Sequence, residues 1–468
     1  MALTDEELRC LCINNPEAVI ALIKNLEARI AMLEARLNQN STNSGRPPSS
    51  DMFKPQSLRR KGERSVGGQQ GHSGSTLRMV SVPDVIVDHK VAACDVCGTS
   101  LVDVPALGVE RRQVFDIPPV RLVVSEHRAE TKQCPCCHSL TRAVFPEDVS
   151  QPAQYGEHLK AFVVYLLVFQ FVPYGRITEL FSDLFGHSPC KATLVRMVES
   201  CYNKLGDFEG AVRGLLRDAR VLHVDETGFR ATGERGWLHV ASTWLATWYG
   251  FHKNRGNGAT RRFDILPGFT GTVVHDFWKP YFSYGCGHQL CNVHLIRELQ
   301  GVSENFHQEW SGRMKLLLYQ IKDRADVMRA EMTGLPLDEI TDFESMYREI
   351  VAEGIRENSV PPRRDGKRGP LTQSKARNLV ERCRDYMPEV LAFMHDSRVP
   401  FDNNQAERDI RMAKLQQKIS GANRSDKGAA WFCRIRGYIS TARKNGQPVL
   451  SSLSKAFEGR PFIPQTAN

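Results

Sequence analysis

Residues 221–230 read VLHVDETGFR, and the reading of that stretch decides the fold. Apolar and β-favouring residues run into Asp225 and Glu226 before Thr227-Gly228 breaks the run, so the pattern predicts a buried strand ending in acid. An unpaired carboxylate in an apolar setting must neutralise, pair with a cation or bind a metal. Asp and Gly are also ordinary strand terminators, so the stretch by itself leaves a simple turn acid open. Residues 271–281 (GTVVHDFWKPY) repeat the pattern, with a short β-branched run, then His275-Asp276, then a loop holding Trp278 and Pro280. A third acid, Glu407, lies in FDNNQAERDIRMAK, where Asp402, Asn403 and Asn404 are N-cap types ahead of good helix formers. Two strand-end aspartates and a helical glutamate can hold two hard cations about 3.5–4 Å apart for in-line attack on a phosphodiester.

The segments HVDETGFR, VVHDFWKPY, CNVHLIREL and DNNQAERDIR follow CDVCG and CPCC, with GGQQGH near the N-terminus. In this order they span nearly the whole chain, which resembles a bacterial DDE transposase of the insertion-sequence-66 family. The resemblance implies an α/β fold: a ribonuclease H-like catalytic core with a helical insertion, preceded by a coiled-coil helix and a zinc-ribbon-like module. It implies Asp225, Asp276 and Glu407 as catalytic acids, Mg²⁺ or Mn²⁺ as their cofactor, and double-stranded DNA, both element ends and target, as substrate. Accessory proteins of the same element are possible further partners under it. Two other readings stay open: a metal nuclease of the same fold that only cleaves, and a non-catalytic, zinc-stabilised DNA-binding regulator.

At 468 residues the chain exceeds one ordinary core, and two to four modules are expected. Lys and Arg number 62 against 53 Asp and Glu, a formal net charge of +9 that is concentrated locally. Residues 41–80 hold seven Lys/Arg against two acids, and residues 408–444 hold ten against two. Such patches fit a polyanion, with solvated faces as the plainer alternative. The N-terminus has no basic start followed by an apolar core, so a cytoplasmic protein is expected. The most apolar run, residues 159–172, is fourteen long and contains Gln170, too short to span a bilayer, so no membrane role is expected. Thirteen cysteines, several in tight pairs, favour metal thiolates and buried thiols over disulfides.

Residues 1–40 predict a helix from Pro16 with Val19, Ile23, Leu26, Ile30, Leu33 and Leu37 on one seam. Arg29 at g can meet Glu34 at e of a second copy, which favours a parallel homodimer, or a higher assembly on DNA, over a helix lying on its own chain. Residues 41–85 form a basic, flexible linker whose Arg59, Arg60, Lys61 and Arg64 can track phosphates or simply solvate a tether. In residues 86–150, Cys94 and Cys97, then Cys134 and Cys137, repeat a CxxC spacing around a strand segment, the pattern of a structural Zn²⁺ site; Cys136 can replace Cys137. Residues 151–215 are helical, with a Gly turn before Cys190 that matches a helix-turn-helix presenting Lys191 and Arg196, or a scaffold pair.

Residues 216–300 hold the first part of the core, 301–395 the helical insertion, 396–445 the part with Glu407, and 446–468 a tail. The 131-residue separation of Asp276 and Glu407 calls for that insertion. Cys291 and His294 are spaced as ligands, but no second pair accompanies them, so they read as structural. Arg408, next to the acid, and Arg411, Lys414 and Lys418, on one helical face with it, form a candidate DNA contact.

Overall fold

The computed structural model describes residues 15–40, 43, 76–331, 333–359 and 373–465. The chain divides into two units, a small one of residues 55–126 and 184–186 and a large one of the remainder. Arg59, Arg60, Lys61 and Arg64 lie outside the described residues.

Among the described residues of the small unit, regular pairing is limited to a bridge between Ala93 and Ser100, which closes the loop holding Cys94 and Cys97. The large unit opens with α1 (Pro16–Leu37), which starts at a proline and carries Glu17 in its first turn and Arg36 in its last, each matching the helix dipole. The seam residues Ile23, Leu26, Ile30, Leu33 and Leu37 are all exposed. A hairpin of β1 (Thr131–Gln133) and β2 (Leu140–Arg142) follows, with the second cysteine pair at its tip. Next come α2 (Glu157–Val164), continued by a wider turn to Phe169, then α3 (Tyr174–Phe185), α4 (Lys191–Lys204) and α5 (Gly206–Arg217). No helix among the described residues is long and apolar enough to cross a membrane.

The strand expected to stop at Asp225-Glu226 does not stop there. β3 runs through Val221–Ala231 and pairs antiparallel with β4 (Glu234–Ser242) along nearly its whole length, Gly228 lying opposite Trp237. Gly228 is tolerated because the Arg235 side chain fills its space: a Cβ there would sit 3.4 Å from Arg235 Nε. What ends near Asp225 is the other pairing. β3 pairs in parallel with β6 (Thr272–His275) only as far as His223 opposite Val274. With β5 (Thr247–His252), which the short α6 (Asn257–Phe263) follows, and β7 (Gly287–Leu290) the sheet order is β5-β4-β3-β6-β7, antiparallel on one side of β3 and parallel on the other.

Helices cover this sheet. α12 (Asn404–Ser420) packs on β3 and β4, while α13 (Asp426–Lys444) packs on β5. Phe229 of β3 stacks on Phe432 of α13 with ring centroids 5.8 Å apart, and Phe208 of α5 meets Tyr438 edge-on at 4.9 Å. Between β7 and α12 the chain builds α7 (Asn292–Phe306), α8 (Glu309–Ala330), α9 (Leu337–Glu357), α10 (Lys375–Asp385) and α11 (Met387–His395). Their apolar faces share a core that starts at Leu290, runs through Trp310, Tyr347 and Val380, and returns to Phe401. The return to Phe401 delivers the chain to the first turn of α12.

Helix α9 approaches Trp310 through Gly354, where a Cβ would sit 2.7 Å from Trp310 Cδ2 and 2.8 Å from Val380 Cγ2. Helix propensity alone would make Gly354→Ala stabilising by roughly 0.5–1 kcal/mol. Overpacking against a fully buried indole costs roughly 1–3 kcal/mol and wins. Gly354→Ala is therefore expected to lower stability in a denaturant melt; a rise would contradict the close approach.

Candidate active site

The strand register brings the two aspartates side by side. β3 and β6 pair with a constant offset of 51, from Val221 opposite Thr272 to His223 opposite Val274, and the same offset carries Asp225 onto Asp276. β6 and β7 pair with an offset of 15, ending at His275 opposite Leu290, which carries Asp276 onto Cys291. Three neighbouring parallel strands thus deliver Asp225, Asp276 and Cys291 to one edge, the carboxyl end of the parallel half. Both aspartates are oriented by backbone amides: Asp225 Oδ1 accepts from the Glu226 N–H at 2.8 Å, and Asp276 Oδ1 from the Trp278 N–H at 3.0 Å.

Glu407 reaches the same edge from the first turn of α12, and Asn403 holds it there. Asn403 occupies the N-cap position, as the sequence predicts, but its side chain does not cap the helix. It crosses to β3 instead, donating from Nδ2 to the Val224 carbonyl at 2.8 Å and contacting His223 Nδ1 through Oδ1 at 2.9 Å. Its backbone N–H donates to Cys291 Sγ at 3.3 Å. One buried amide therefore ties α12 to the strand bearing Asp225 and to the end of β7.

The cluster is electrostatically unfavourable without a cation. Burial pushes the Asp225 carboxyl well above the ordinary range, and the charges of Glu226, Asp276 and Glu407 push it further. Glu226 is also raised, first by burial and next by Asp276, although Tyr281 and Arg255 both hydrogen-bond its carboxylate. The Arg255 guanidinium lies between the Trp237 and Trp278 rings, 4.9 and 4.5 Å from their centroids. The buried Glu226 and Tyr281 and the half-buried Arg255 form a hydrogen-bonded support next to Asp225. Nothing local in the sequence marks these three as a group, because their partners are distant in the chain.

Cys291 and His294, read from sequence as merely structural, stand beside Glu407. Cys291 Sγ lies 4.0 Å and His294 Nδ1 3.9 Å from Glu407 Oε1. Among the described residues, these three offer ligand atoms all within 4.8 Å of one another.

The remaining sequence-predicted residues are elsewhere. Lys191 and Arg196 are exposed on α4, whose opposite face buries Leu194, Met197, Val198 and Cys201. Arg408, Arg411, Lys414 and Lys418 are exposed along α12, and none forms an ion pair among the described residues. Lys414 Nζ donates to the Gly228 carbonyl at 2.9 Å, so it is partly engaged at the sheet.

Each cysteine pair sits in the same local turn. The Gly98 N–H bonds the Cys94 carbonyl and the His138 N–H bonds the Cys134 carbonyl, both at 2.9 Å. Cys97 Sγ meets Thr99 Oγ1 at 3.2 Å, and Cys137 Sγ meets Ser139 Oγ at 2.9 Å. The hydroxyls lower both thiols, Cys137 to about 7, which suits thiolate ligation by Zn²⁺. Cys136 has no counterpart in the first turn.

Three family descriptions match the chain. "Transposase IS66 family" covers residues 152–431, "zinc-finger binding domain of transposase IS66" covers residues 92–138, and "Family of unknown function (DUF6444)" covers residues 2–78. A search of curated proteins returns no match.

Two outcomes follow from this geometry. An acid whose pKa is higher folded than unfolded loses stability as pH rises from the ordinary value, 3.8, through the raised one. In chelator near neutral pH, Asp225→Asn is expected to melt higher than the parent by about 2–4 °C. The gap should close as pH falls toward the carboxylate range or when Mn²⁺ is added; equal melting at neutral pH would contradict the burial. For zinc, elemental analysis is expected to show loss of the metal in Cys137→Ser and its retention in Cys136→Ser.

Proposed function

Given that the chain belongs to the Transposase IS66 family, we propose that it is a DDE-type transposase that cleaves DNA at element ends and joins the freed ends to target DNA. Asp225, Asp276 and Glu407 are its catalytic acids, and Mg²⁺ or Mn²⁺ is its cofactor. The observation that carries this reading is the offset of 51 that aligns Asp225 with Asp276 at adjacent parallel strand ends, with Glu407 fixed beside them through Asn403. A sheet of order β5-β4-β3-β6-β7 with this mixture of directions supports a ribonuclease H-like core. Its acids stand where open α/β sheets commonly bind ligands, outside the carboxyl ends of parallel strands.

A divalent ion bound there would supply charge neutralisation and an activated oxygen nucleophile. The chain's own residues do the rest. Asp225 and Asp276 are held by the Glu226 and Trp278 amides as ligands, and Glu407 closes the site. Water adds to the scissile phosphorus and the 3′ oxygen leaves; that 3′ hydroxyl then attacks a target phosphodiester, exchanging one P–O bond for another without a covalent enzyme intermediate. Arg408, Arg411, Lys414 and Lys418 extend from Glu407 as a phosphate track. Lys191 and Arg196 are a second DNA contact. Zn²⁺ is structural, held by Cys94, Cys97, Cys134 and Cys137. The exposed seam of α1 fits a coiled coil with a second copy. A regulator without chemistry is disfavoured by the cluster itself, because burying repelling carboxylates with no cation to bind is a pure loss of stability.

The test is an in vitro cleavage and joining assay on paired element ends with Mg²⁺. Alanine at any one of the three acids should remove several kcal/mol of transition-state stabilisation, about 100-fold or more in rate, while DNA binding persists. Cleavage without joining in the parent would favour the nuclease, and substantial cleavage by Asp276→Ala would overturn the assignment.

A further inference from the structure

Glu407 faces two kinds of neighbour, strand-end carboxylates on one side and a thiol and an imidazole on the other. We propose that Cys291, His294 and Glu407 form a separate site for a borderline-soft ion such as Zn²⁺, whose occupancy draws Glu407 from the aspartates and restrains the Mg²⁺-dependent reaction. The restraint rests on the catalytic reading above; the site does not.

The donor set comes from three places that the fold locks together. Cys291 ends β7 and caps α7, and His294 follows in the first turn of α7, its N–H bonding the Cys291 carbonyl at 3.1 Å. Glu407 lies in the first turn of α12. Burial pushes the free Cys291 thiol up to about 12, so an arriving ion must displace its proton, and the Asn403 N–H that Sγ already accepts helps to hold the resulting thiolate. His294 Nδ1 is shielded from solvent and has no hydrogen-bond partner; with the ring proton on Nε2 it would present a lone pair to the cluster.

The separations fit an ion after a small contraction. Zn²⁺ binds sulfur at about 2.3 Å and nitrogen or oxygen at about 2.0–2.2 Å, which puts tetrahedral ligands roughly 3.4–3.7 Å apart. The present distances are 4.0 Å from sulfur to carboxylate and 3.9 Å from imidazole to carboxylate. Side-chain rotation of a few tenths of an ångström closes these two gaps, and the three ligand atoms all lie within 4.8 Å of one another. The remaining tetrahedral position is free for water. Mg²⁺ does not compete well here, because it demands oxygen ligands in octahedral geometry whereas thiolate and imidazole select zinc and its neighbours. The same carboxylate therefore belongs to two sites of different softness and cannot serve both ions at full strength.

The experiment uses full-length protein carrying its structural zinc, titrated with Co²⁺ in excess Mg²⁺. Uptake is read by elemental analysis after gel filtration and by the thiolate-to-cobalt charge-transfer band. The parent is expected to gain one further ion per chain with that band. Cys291→Ser should lose the band, and His294→Ala should weaken uptake by more than the roughly 10- to 100-fold that an outer-shell partner costs. His294 is partly exposed, so His294→Ala is expected to keep the parent's melting temperature and to report binding rather than folding. No added uptake in the parent, or equal uptake and band in both variants, would overturn the site. Zn²⁺ at the saturating level should lower parental cleavage in Mg²⁺; full uptake with unchanged cleavage would overturn the restraint. Cleavage by Glu407→Gln would sink the catalytic reading while leaving the Co²⁺ result standing, so the two failures are distinguishable.

Discussion

Carboxylates gathered at the end of a parallel strand pair repel one another, and the large unit is built to hold them there. Asp225 and Asp276 each lie two residues beyond the last β3–β6 pair, so the strand register fixes where both emerge. Glu407 arrives by a helix whose entry is fixed through Asn403. The cost appears as the raised Asp225 and Glu226, and a bound cation would relieve it. Strain of this kind at a mouth of the sheet, rather than anywhere in the apolar core, is what a metal-dependent site requires.

The supports around the acids divide the work. Arg255, stacked between Trp237 and Trp278, neutralises part of the Glu226 charge and stiffens the loop after Asp276. The apolar helices between β7 and α12 contribute no acid to the cluster; their shared core holds the chain as it returns to Phe401, two residues before Asn403. A long excursion is tolerable because loop-closure entropy grows only slowly with length and the excursion buries its own core.

Much of this was legible in the sequence, for a physical reason. Short continuous runs of β-favouring residues ended by acid identify strands and their chemistry locally, which is why the segments at Asp225 and Asp276 read alike. The end of β3 was misread because Thr227-Gly228 looks like punctuation, while the space beside Gly228 is filled by Arg235 from the neighbouring strand. Asn403 could be recognised as a helix-start residue, but its side-chain partners on β3 lie about 180 residues away in the chain. Cys291 and His294 displayed ligand spacing with no visible third member, since Glu407 follows His294 by 113 residues. Residue types disclose an appetite for hydrogen bonds or metal; the fold alone selects the partner.

The central claim is that the strand-end acids exist to bind divalent cations. It is tested most directly by Mn²⁺ anomalous diffraction from crystals of the full-length protein. The account predicts an anomalous peak within about 2.0–2.3 Å of carboxylate oxygens of both Asp225 and Asp276, with Glu407 at the same ion or at one about 3.5–4 Å away. A well-ordered site with no peak near either aspartate would contradict it.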